Sequence, residues 1–448
     1  MLMKFAYPIA IKIDSILDSR VNEALKILNF GENATLLQLQ EFRLQALLNL
    51  IEYSYSFVPY YRDLFNQIGL KPKDFTEIKD IQRIPVLTKN DIRHAGKRLQ
   101  STEIEKMDYL ITRSGGTTGE PIASYVGRRA RALATYAARR GQMWMGWKPG
   151  VRVVTLFGGS LGKSSKTTLR ARLRDYALGT DFLPAFELTK ENVEDYHKVI
   201  RKNSPCIIKG YASALYNLAL FTEEINYIPS KILYVFSTAE YLPDKWAKKI
   251  AAVFNCPVKS YYGCGEINSL GFQVEQSGPY IVPDEHVIVE SKSQHEDEKV
   301  DCDHSLLITS LFNYAQPLIR YQVGDIGQVS QPGLLHPTRT TITNLVGRTS
   351  DMFVKEDGTL VSPSLAPHLV SKINLSVRKY QFIQNKINEI EFLYDPLNGD
   401  ISELEKRDIE EILKLIFSES MAIKFKKTSN FVLSPNQKMR LVISKIIK

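Results

Sequence analysis

The sequence predicts an α/β fold in which a large N-terminal domain of several subdomains precedes a small α+β C-terminal domain. Short β-rich runs at residues 151–157, 206–209 and 232–236 alternate with helical stretches, which is the pattern of layered α/β structure. After residue 285 the pattern changes to strands in succession, which predicts a β-rich subdomain that closes the large domain. A chain of 448 residues is long enough for two or three domains.

Helical stretches are recognised by their apolar spacing. An N-terminal helix is predicted from residues that follow the i, i+3, i+4, i+7 pattern of one buried face: Leu44, Leu47, Leu48 and Ile51. A second helix in the α/β region has Trp246, Ile250 and Val253 on one face. The large domain is predicted to span residues 1–348, and loops at its strand ends are expected to carry functional residues.

Residues 349–448 form the predicted small domain. Two alternating strands, at 379–383 and 387–394, are followed by a helix and then by further strands. The helix is predicted from an apolar face made of Ile409, Ile412, Leu413 and Ile416. This order of elements predicts an α+β domain.

Composition limits the classes of partner. The net charge of +9, from 58 basic and 49 acidic residues, favours anionic partners such as nucleotides, CoA, acidic sugars or a membrane surface. No lysine- and arginine-rich tail and no zinc-finger spacing is present in the sequence, so no nucleic-acid partner is expected. Four scattered cysteines do not make a disulfide framework, which indicates a reducing compartment.

The first 13 residues are apolar but are interrupted by Lys4, Pro8 and Lys12. No small-residue cleavage site follows, so neither a signal peptide nor a transmembrane span is expected, and a cytoplasmic protein is predicted. Packing of this segment onto the protein body is the favoured interpretation. Peripheral contact with a membrane or a partner surface is the alternative.

Residues 112–121, TRSGGTTGEP, are the most informative segment of the chain. Glycines allow close approach of the backbone to phosphate oxygens, and hydroxyls and backbone N–H groups can hold an anion. The candidate ligands of the phosphates are Ser114, Gly115, Gly116, Thr117, Thr118 and Gly119. ATP is therefore the first candidate ligand, although clusters of this composition also form ordinary turns.

A second glycine-rich segment competes for the same interpretation. Residues 158–165, GGSLGKSS, follow a predicted strand and are similar to a Walker P-loop. The motif spacing places Phe157 where the first glycine belongs, so the segment is one residue short. A loop on the substrate side is the favoured interpretation.

Four further segments follow the first loop in order: 261–266 (YYGCGE), 317–325 (PLIRYQVGD), 347–351 (GRTSD) and 434–440 (SPNQKMR). Together the five segments resemble the motif set of the adenylate-forming (acyl-CoA synthetase) superfamily. Residues 58–62 (VPYYR) and 84–93 (IPVLTKNDIR) resemble the N-terminal signature of its phenylacetate-CoA ligase and CapK-like branch. The resemblance runs from about residue 40 to the C-terminus and implies an adenylation domain followed by a small mobile domain.

The resemblance also implies roles for the charged residues. ATP and Mg²⁺ are the implied cofactors, with CoA as a further one, and the segment from Ser114 to Gly119 would embrace the β- and γ-phosphates. Glu266 would hold Mg²⁺, a hard cation suited to carboxylate oxygen, and would act in catalysis. Lys438 would be catalytic, because an ammonium group near the α-phosphate offsets charge that builds in the transition state.

The nucleoside contacts follow from the same resemblance. Tyr262 would stack on adenine, Asp325 would accept hydrogen bonds from the ribose hydroxyls, and Arg348 would join it there. The remaining implied nucleotide contacts are Gly263, Ala239 and Glu240.

Three positions depart from the family pattern. Glu120 stands where lysine is frequent, Gly265 stands where a threonine or serine usually precedes the glutamate, and Gln437 replaces the glycine before the lysine. These changes remove one counter-charge and one hydroxyl, and restrict the loop that carries Lys438.

The predicted function is ATP-dependent activation of a carboxylic acid as its acyl-AMP, with release of pyrophosphate. Acyl transfer to CoA or to another thiol, amine or hydroxyl would follow, and the CapK-like signature implies a role in bacterial surface polysaccharide synthesis. One alternative is a non-catalytic nucleotide-binding component of such a pathway. The other is transfer of AMP to a hydroxyl, with no carboxylate involved.

Overall fold

The computed structural model describes residues 3–113, 123–157, 179–185, 187–293, 304–346, 353–358, 360–361, 366, 370, 373, 375–397, 399–432 and 442–446.

The α-helices within these ranges are α1 (Met3–Leu17), α2 (Ser19–Asn33), α3 (Leu36–Phe57), α4 (Pro59–Gln67), α5 (Lys89–Ala95), α6 (Arg128–Trp144), α7 (Val193–Asn203), α8 (Ala212–Glu224), α9 (Asp244–Phe254) and α10 (Glu403–Ile416). Short 3₁₀ helices occupy Pro72–Asp74, Ile78–Arg83, Gly96–Leu99 and Ile104–Lys106.

The strands are β1 (Tyr109–Arg113), β2 (Ala123–Gly127), β3 (Arg152–Phe157), β4 (Thr180–Pro184), β5 (Cys206–Gly210), β6 (Ile232–Thr238), β7 (Val258–Tyr262), β8 (Gly271–Gln273), β9 (Tyr280–Ile281), β10 (Val287–Ser293), β11 (His304–Ser310), β12 (Tyr321–Ser330), β13 (Thr341–Val346), β14 (Phe353–Val354), β15 (Leu360–Val361), β16 (Val377–Lys386), β17 (Glu389–Pro396), β18 (Ala422–Lys427) and β19 (Val442–Ser444).

The chain divides into two compact units. Among the described residues, the first unit contains 3–113, 123–151 and 259–346, and the second contains those from 152 to 258 and from 353 to 446. The assignment of residues 1–348 and 349–448 to an adenylation domain and a mobile domain stays a prediction.

The first unit is built on antiparallel strands. Strands β10, β11, β12, β13, β9, β8 and β7 lie side by side in that order, and β1 pairs with β2 in a separate hairpin. Helices α2, α3, α4 and α6 bury their apolar faces in one core with these strands. The predicted N-terminal helix is confirmed as α3, in which Leu47 and Ile51 are fully buried.

Helix α1 runs through Pro8 and belongs to the first unit. Tyr7 is buried with its ring centroid 4.8 Å from that of Trp147, and the Tyr136 hydroxyl donates to Asp14 Oδ2 at 3.2 Å. The segment therefore packs onto the body of its unit. Within the described ranges, no helix is both long enough and apolar enough to cross a bilayer.

The second unit contains parallel α/β structure and the C-terminal elements. Strands β6, β5, β3 and β4 form a parallel sheet with α7, α8 and α9 packed around it. The C-terminal residues have a core of their own, in which β16 and β17 are flanked by β19 and β18 and covered by α10. The predicted helix with Ile409, Leu413 and Ile416 on its buried face is confirmed.

Candidate functional site

Several predicted site residues lie outside the described residues: Ser114, Gly115, Gly116, Thr117, Thr118, Gly119, Arg348 and Lys438. The competing segment 158–165 also lies outside them. Their roles stay predictions. The structure describes the remaining candidates, which fall on the two units separately.

A tight turn after β7 positions Glu266 in the first unit. The Cys264 amide donates to Ile267 O at 3.1 Å, and the Leu270 amide donates to Tyr262 O at 3.0 Å. A Cβ at Gly263 would lie 2.7 Å from Asn268 Oδ1, so a larger residue in this turn would require that side chain to shift. Burial raises the pKa of the Cys264 thiol well above its usual range, so this cysteine stays protonated and structural.

Glu266 is almost fully buried but has polar neighbours. The Tyr321 hydroxyl donates to Glu266 Oε1 at 2.9 Å, and Lys89 Nζ lies 3.9 Å from the same oxygen. A buried carboxylate requires such partners, since an unpaired buried charge is costly. The arrangement therefore places one anionic and one cationic side chain next to each other inside the first unit.

Lys89 is positioned by the start of α5. Thr88 caps this helix, with its hydroxyl accepting from the Asp91 amide at 3.2 Å while Asp91 accepts from the Thr88 amide at 2.7 Å. Just before the cap, the Leu87 amide donates to Arg320 O at 3.1 Å and the Gln322 amide donates to Leu87 O at 2.9 Å. The segment that carries Lys89 is thus fixed along the start of β12.

Asp325 lies on the same strand as Tyr321. The Tyr262 hydroxyl donates to Asp325 Oδ2 at 2.8 Å, which fixes the orientation of the carboxylate. Tyr262 itself is 8% exposed, and its ring centroid lies 6.5 Å from that of Tyr280. Asp325 is half-buried, and Gly324 before it has φ of +93°, a conformation that glycine adopts without strain.

The two acidic motifs are joined by reciprocal hydrogen bonds. Tyr262, from the segment of Glu266, donates to Asp325, and Tyr321, from the segment of Asp325, donates to Glu266. The structure therefore brings together two acids that lie far apart in the sequence. Lys89 and Tyr321 were not predicted as site residues, although each lies within a motif that the sequence analysis identified.

The loop before β12 is held by the N-terminal signature. The Tyr61 hydroxyl donates to Pro317 O at 3.1 Å and accepts from the Ile319 amide at 3.0 Å. Burial raises the pKa of Tyr61, so the hydroxyl stays protonated. Arg320, with φ of +51°, pairs with Glu290 at 3.1 Å. These contacts fix the strand that carries Tyr321 and Asp325.

The second unit contains the turn after β6, with Ala239 and Glu240. Ala239 is exposed and has φ of +68°, which is uncommon for a residue with a Cβ. Glu240 Oε2 accepts a hydrogen bond from the Ser213 amide at 2.9 Å, at the N-terminus of α8. The turn is therefore held in place by the helix beside it.

A narrow pocket adjoins Glu266 within the first unit. It admits only a small group, and it is lined by Thr112, Val126, Ala130, Arg131, Ala134, Gly265, Glu266, Ile267, Asn268, His286, Ser310 and Asn313. Polar side chains outnumber large apolar ones on its walls.

The side chains around Glu266 determine which kind of Mg²⁺ site could form there. Within the described ranges, no group of three or more His, Cys, Asp or Glu side chains is placed to hold a metal ion. Mg²⁺ is commonly held by one or two carboxylates together with substrate phosphates and waters. Glu266 supplies one carboxylate, so it fits a metal shared with a phosphate ligand and not a cage made of protein alone.

Comparison with known proteins gives related sequences and a matching fold. No model of a known protein family matches the chain. Protein CapK of Staphylococcus aureus is 24% identical over 92% of this chain and 90% of its own length. The phenylacetate-coenzyme A ligase of Pseudomonas putida is 27% identical over 78% of this chain and 79% of its own length.

Among solved structures, a 2-hydroxyisobutyryl-CoA ligase in complex with 2-HIB-AMP and CoA matches with a TM-score of 0.59. The match covers 90% of this chain and 89% of that chain, at 18% sequence identity. The predicted resemblance and the predicted α/β fold class are confirmed.

Proposed function

We propose that this chain, a homologue of CapK and the phenylacetate-CoA ligases with the fold of the adenylate-forming superfamily, is an ATP-dependent ligase. It activates a carboxylic acid as its acyl-AMP, releases pyrophosphate, and passes the acyl group to CoA or to another nucleophile. The observation that carries the proposal is the pair of reciprocal hydrogen bonds that joins Glu266 and Asp325 through Tyr321 and Tyr262.

Adenylation brings two anions together, so the site must offset negative charge and align the reactants. When bound with ATP, Mg²⁺ neutralises phosphate charge, and Glu266 is the residue that would hold it. Lys89 Nζ lies 3.9 Å from Glu266 Oε1, and we assign to it a second positive charge that would offset phosphate charge. Tyr321 keeps the carboxylate in one orientation.

Asp325 is the residue of the pair that we assign to the nucleoside. Asp325 accepts hydrogen bonds from the ribose hydroxyls, and the Tyr262 hydroxyl holds its carboxylate in place through a 2.8 Å hydrogen bond. The small Tyr262 exposure means that adenine stacking uses only the accessible part of that ring, beside Gly263. Ala239 and Glu240 are further proposed nucleotide contacts, assigned from the sequence motifs alone.

The remaining roles are proposed from the sequence motifs. The segment from Ser114 to Gly119 holds the β- and γ-phosphates, Arg348 joins Asp325 at the ribose, and Lys438 offsets charge at the α-phosphate. The CapK relationship, with the N-terminal signature, supports a place for the reaction in bacterial surface polysaccharide synthesis. A cytoplasmic location is part of the same proposal.

The proposal is tested by exchange of radiolabelled pyrophosphate into ATP with a panel of carboxylic acids. We expect exchange that requires both Mg²⁺ and an acid. In Glu266→Gln, which keeps an acceptor for Tyr321 but loses the charge, we expect a higher Mg²⁺ requirement and at least about ten-fold slower exchange. Glu275→Gln, at an exposed position, is the matched control and should behave as wild type.

Other outcomes would favour the alternatives. Tight ATP binding without exchange for any acid would indicate a non-catalytic nucleotide-binding protein. Transfer of AMP to a hydroxyl compound in the absence of any carboxylic acid would indicate an enzyme that adenylates hydroxyl groups.

A further inference from the structure

Helix α1 presents an apolar face to solvent. Four large aliphatic side chains on it are between 49% and 74% exposed: Ile9, Ile13, Ile16 and Leu17. Their spacing of i, i+4, i+7 and i+8 places them in one stripe along the helix. Single exposed aliphatic residues are ordinary, but four on one face of a single helix form a patch that marks a contact surface.

The other side of α1 is already packed on the first unit. Tyr7 is buried with its ring against that of Trp147, and Asp14 accepts from the Tyr136 hydroxyl at 3.2 Å. Tyr7 and Asp14 are offset from the exposed stripe by about half a turn of the helix. The helix is therefore held by one side while its opposite, apolar side faces outward.

The unpaired charges near this stripe are positive. The acidic side chains of α1 and α2 and of the residue between them are each engaged by another side chain: Asp14 by Tyr136, Asp18 by Arg20, Glu23 by Arg129 and Glu32 by Trp144. Three exposed lysines have no ion-pair partner among the residues that the structure describes: Lys12, Lys26 and Lys148. Lys12 lies on α1, Lys26 on α2, which packs against α1, and Lys148 follows the Trp147 that Tyr7 contacts.

These features fit a lipid surface better than a protein partner. A stable protein interface takes roughly 20–30 residues a side. A bilayer instead binds a single amphipathic helix, by burying its apolar side and attracting nearby lysines to anionic headgroups. A two-fold contact between copies of the chain would bring their Lys12 side chains together, because Lys12 lies midway along the stripe, and like charges repel. At 15 residues, α1 is shorter than the roughly 20 that span a bilayer, so it would lie along the surface.

We propose that α1 docks this protein on the surface of an anionic phospholipid bilayer. The aliphatic stripe inserts below the headgroups, and Lys12 pairs with lipid phosphate. This docking surface goes beyond the proposed ligase function and does not depend on it.

Flotation with vesicles tests the docking surface. The whole protein is mixed with vesicles of phosphatidylcholine alone, or of equal parts phosphatidylcholine and phosphatidylglycerol. We expect binding to the anionic vesicles and at least about ten-fold weaker binding to the neutral ones. Binding should also weaken as salt is raised, because salt screens the attraction between lysines and lipid phosphates. Equal binding to both kinds of vesicle, or no binding to either, would overturn the proposal.

The double variant Ile13→Ser with Ile16→Ser removes two aliphatic side chains from the stripe. Its binding to anionic vesicles should be about ten-fold weaker or more. Ile228→Ser with Leu415→Ser is the matched control, because these side chains are 89% and 82% exposed outside α1, and it should bind as wild type. Lys12→Gln should weaken binding by about five-fold. Wild-type binding by the double variant would mean that another surface contacts lipid, and the proposal would be wrong.

A tryptophan probe reports insertion directly. The fluorescence that Ile16→Trp adds to the wild-type emission should shift to shorter wavelength with anionic vesicles, because the indole enters an apolar layer. The fluorescence that Ile228→Trp adds should not shift. An absent shift in Ile16→Trp would overturn the proposal even if the double serine variant failed to fold.

Sedimentation velocity distinguishes lipid from a second copy of the chain. A dimer of the wild type that is lost in the double serine variant would assign the stripe to self-association and overturn the proposal. Pyrophosphate exchange is measured without vesicles, so failure to bind lipid would leave the proposed ligase standing. Vesicle binding without exchange for any acid would overturn the ligase and leave the docking surface standing.

Discussion

Lys89 Nζ lies 3.9 Å from Glu266 Oε1, although the two residues belong to segments that are far apart in the sequence. The contact exists because Leu87 exchanges backbone hydrogen bonds with the start of β12, where Tyr321 reaches the same carboxylate. A buried ion pair adds little net stability over an apolar pair of the same volume, and charged groups in contact inside a protein are candidates for a functional role.

Replacement of Lys89 by methionine tests this use. The variant keeps the aliphatic length and loses the charge, so we expect pyrophosphate exchange to slow by about ten-fold to a hundred-fold, less than the roughly hundred-fold to thousand-fold loss that follows removal of one oxyanion-hole donor. The measurement is kcat/KM for ATP at saturating Mg²⁺. Lys97→Met, at an exposed position in the following 3₁₀ helix, is the control. Equal rates in both variants would assign Lys89 to structure alone.

The motif residues show what the sequence could and could not predict. Glu266 and Asp325 were identified because each belongs to a short contiguous motif. Lys89 and Tyr321 were not, because their relation to the site depends on packing between distant segments. The partner of a buried charge is set by tertiary structure, which a local pattern does not contain.

The buried faces of the helices were predicted in part from the spacing of apolar residues. The apolar spacing in the C-terminal domain correctly placed α10, where Ile409, Leu413 and Ile416 are buried. In α9 the predicted face was shifted, because the buried residues are Ala247, Ile250 and Phe254. Trp246 is instead half-buried and stacks on Tyr216 with ring centroids 4.6 Å apart. An aromatic ring at the edge of a core can bury its apolar surface by stacking on another ring. The spacing of apolar residues along the chain does not reveal such a contact.

The hydrogen bond from Tyr262 to Asp325 predicts unequal effects of two conservative substitutions. Asp325→Asn removes the charge that the ribose hydroxyls meet, so the Kd for ATP should rise by about ten-fold or more, as expected for loss of a charge-assisted hydrogen bond. Tyr262→Phe removes only the group that orients the carboxylate and should raise Kd by about two-fold to five-fold. Calorimetric titration with ATP measures both.

The double variant completes this test. If Tyr262 acts through Asp325, the two effects should be less than additive in the double-mutant cycle. Full additivity would show that Tyr262 contributes to nucleotide binding independently of the hydrogen bond.

The contacts of Tyr61 predict a change in stability. Tyr61→Phe leaves Pro317 O and the Ile319 amide without their partner in a buried loop, so we expect the free energy of unfolding to fall by about 1–3 kcal/mol. Urea unfolding measures the change. Tyr60→Phe, at the half-buried neighbouring position, is the control and should change stability by less than about 1 kcal/mol. An unchanged free energy of unfolding in Tyr61→Phe would mean that the loop before β12 is held by its other contacts.

Two buried histidines predict an acid-sensitive fold. Burial lowers the pKa of both His286 and His197 to about 4, below the value of about 6.5 expected in the unfolded chain. Their contribution to stability is therefore complete above pH 6.5. Between about pH 6.5 and pH 4 the unfolded chain binds protons that the folded chain excludes, so the free energy of unfolding should fall by up to about 1.4 kcal/mol per pH unit for each histidine.

The slope of stability against pH separates the two histidines from other groups. Urea unfolding at pH 7, 6 and 5 should show a shallower slope in His286→Gln and in His197→Gln than in wild type. Slopes identical to wild type would mean that the pH dependence arises from carboxylates instead.

The proposed role of Lys438 rests on the sequence motif at 434–440, because this residue lies outside the described residues. An ammonium group that offsets charge at the α-phosphate acts only while pyrophosphate is leaving. Lys438→Ala should therefore abolish formation of acyl-AMP while ATP binding and the unfolding transition stay as in wild type. Transfer from added acyl-AMP to CoA should also persist, since that step breaks the acyl–oxygen bond with AMP as the leaving group and releases no pyrophosphate.

Lys445→Ala is the control for a lost positive charge at a nearby sequence position, because Lys445 is exposed and its backbone amide donates to Gln384 O at 3.0 Å. Loss of both half-reactions in Lys438→Ala would indicate misfolding and not a missing charge. Exchange at the wild-type rate would remove Lys438 from the mechanism, and the transition state would then depend on Lys89 and the metal held by Glu266 for its positive charge.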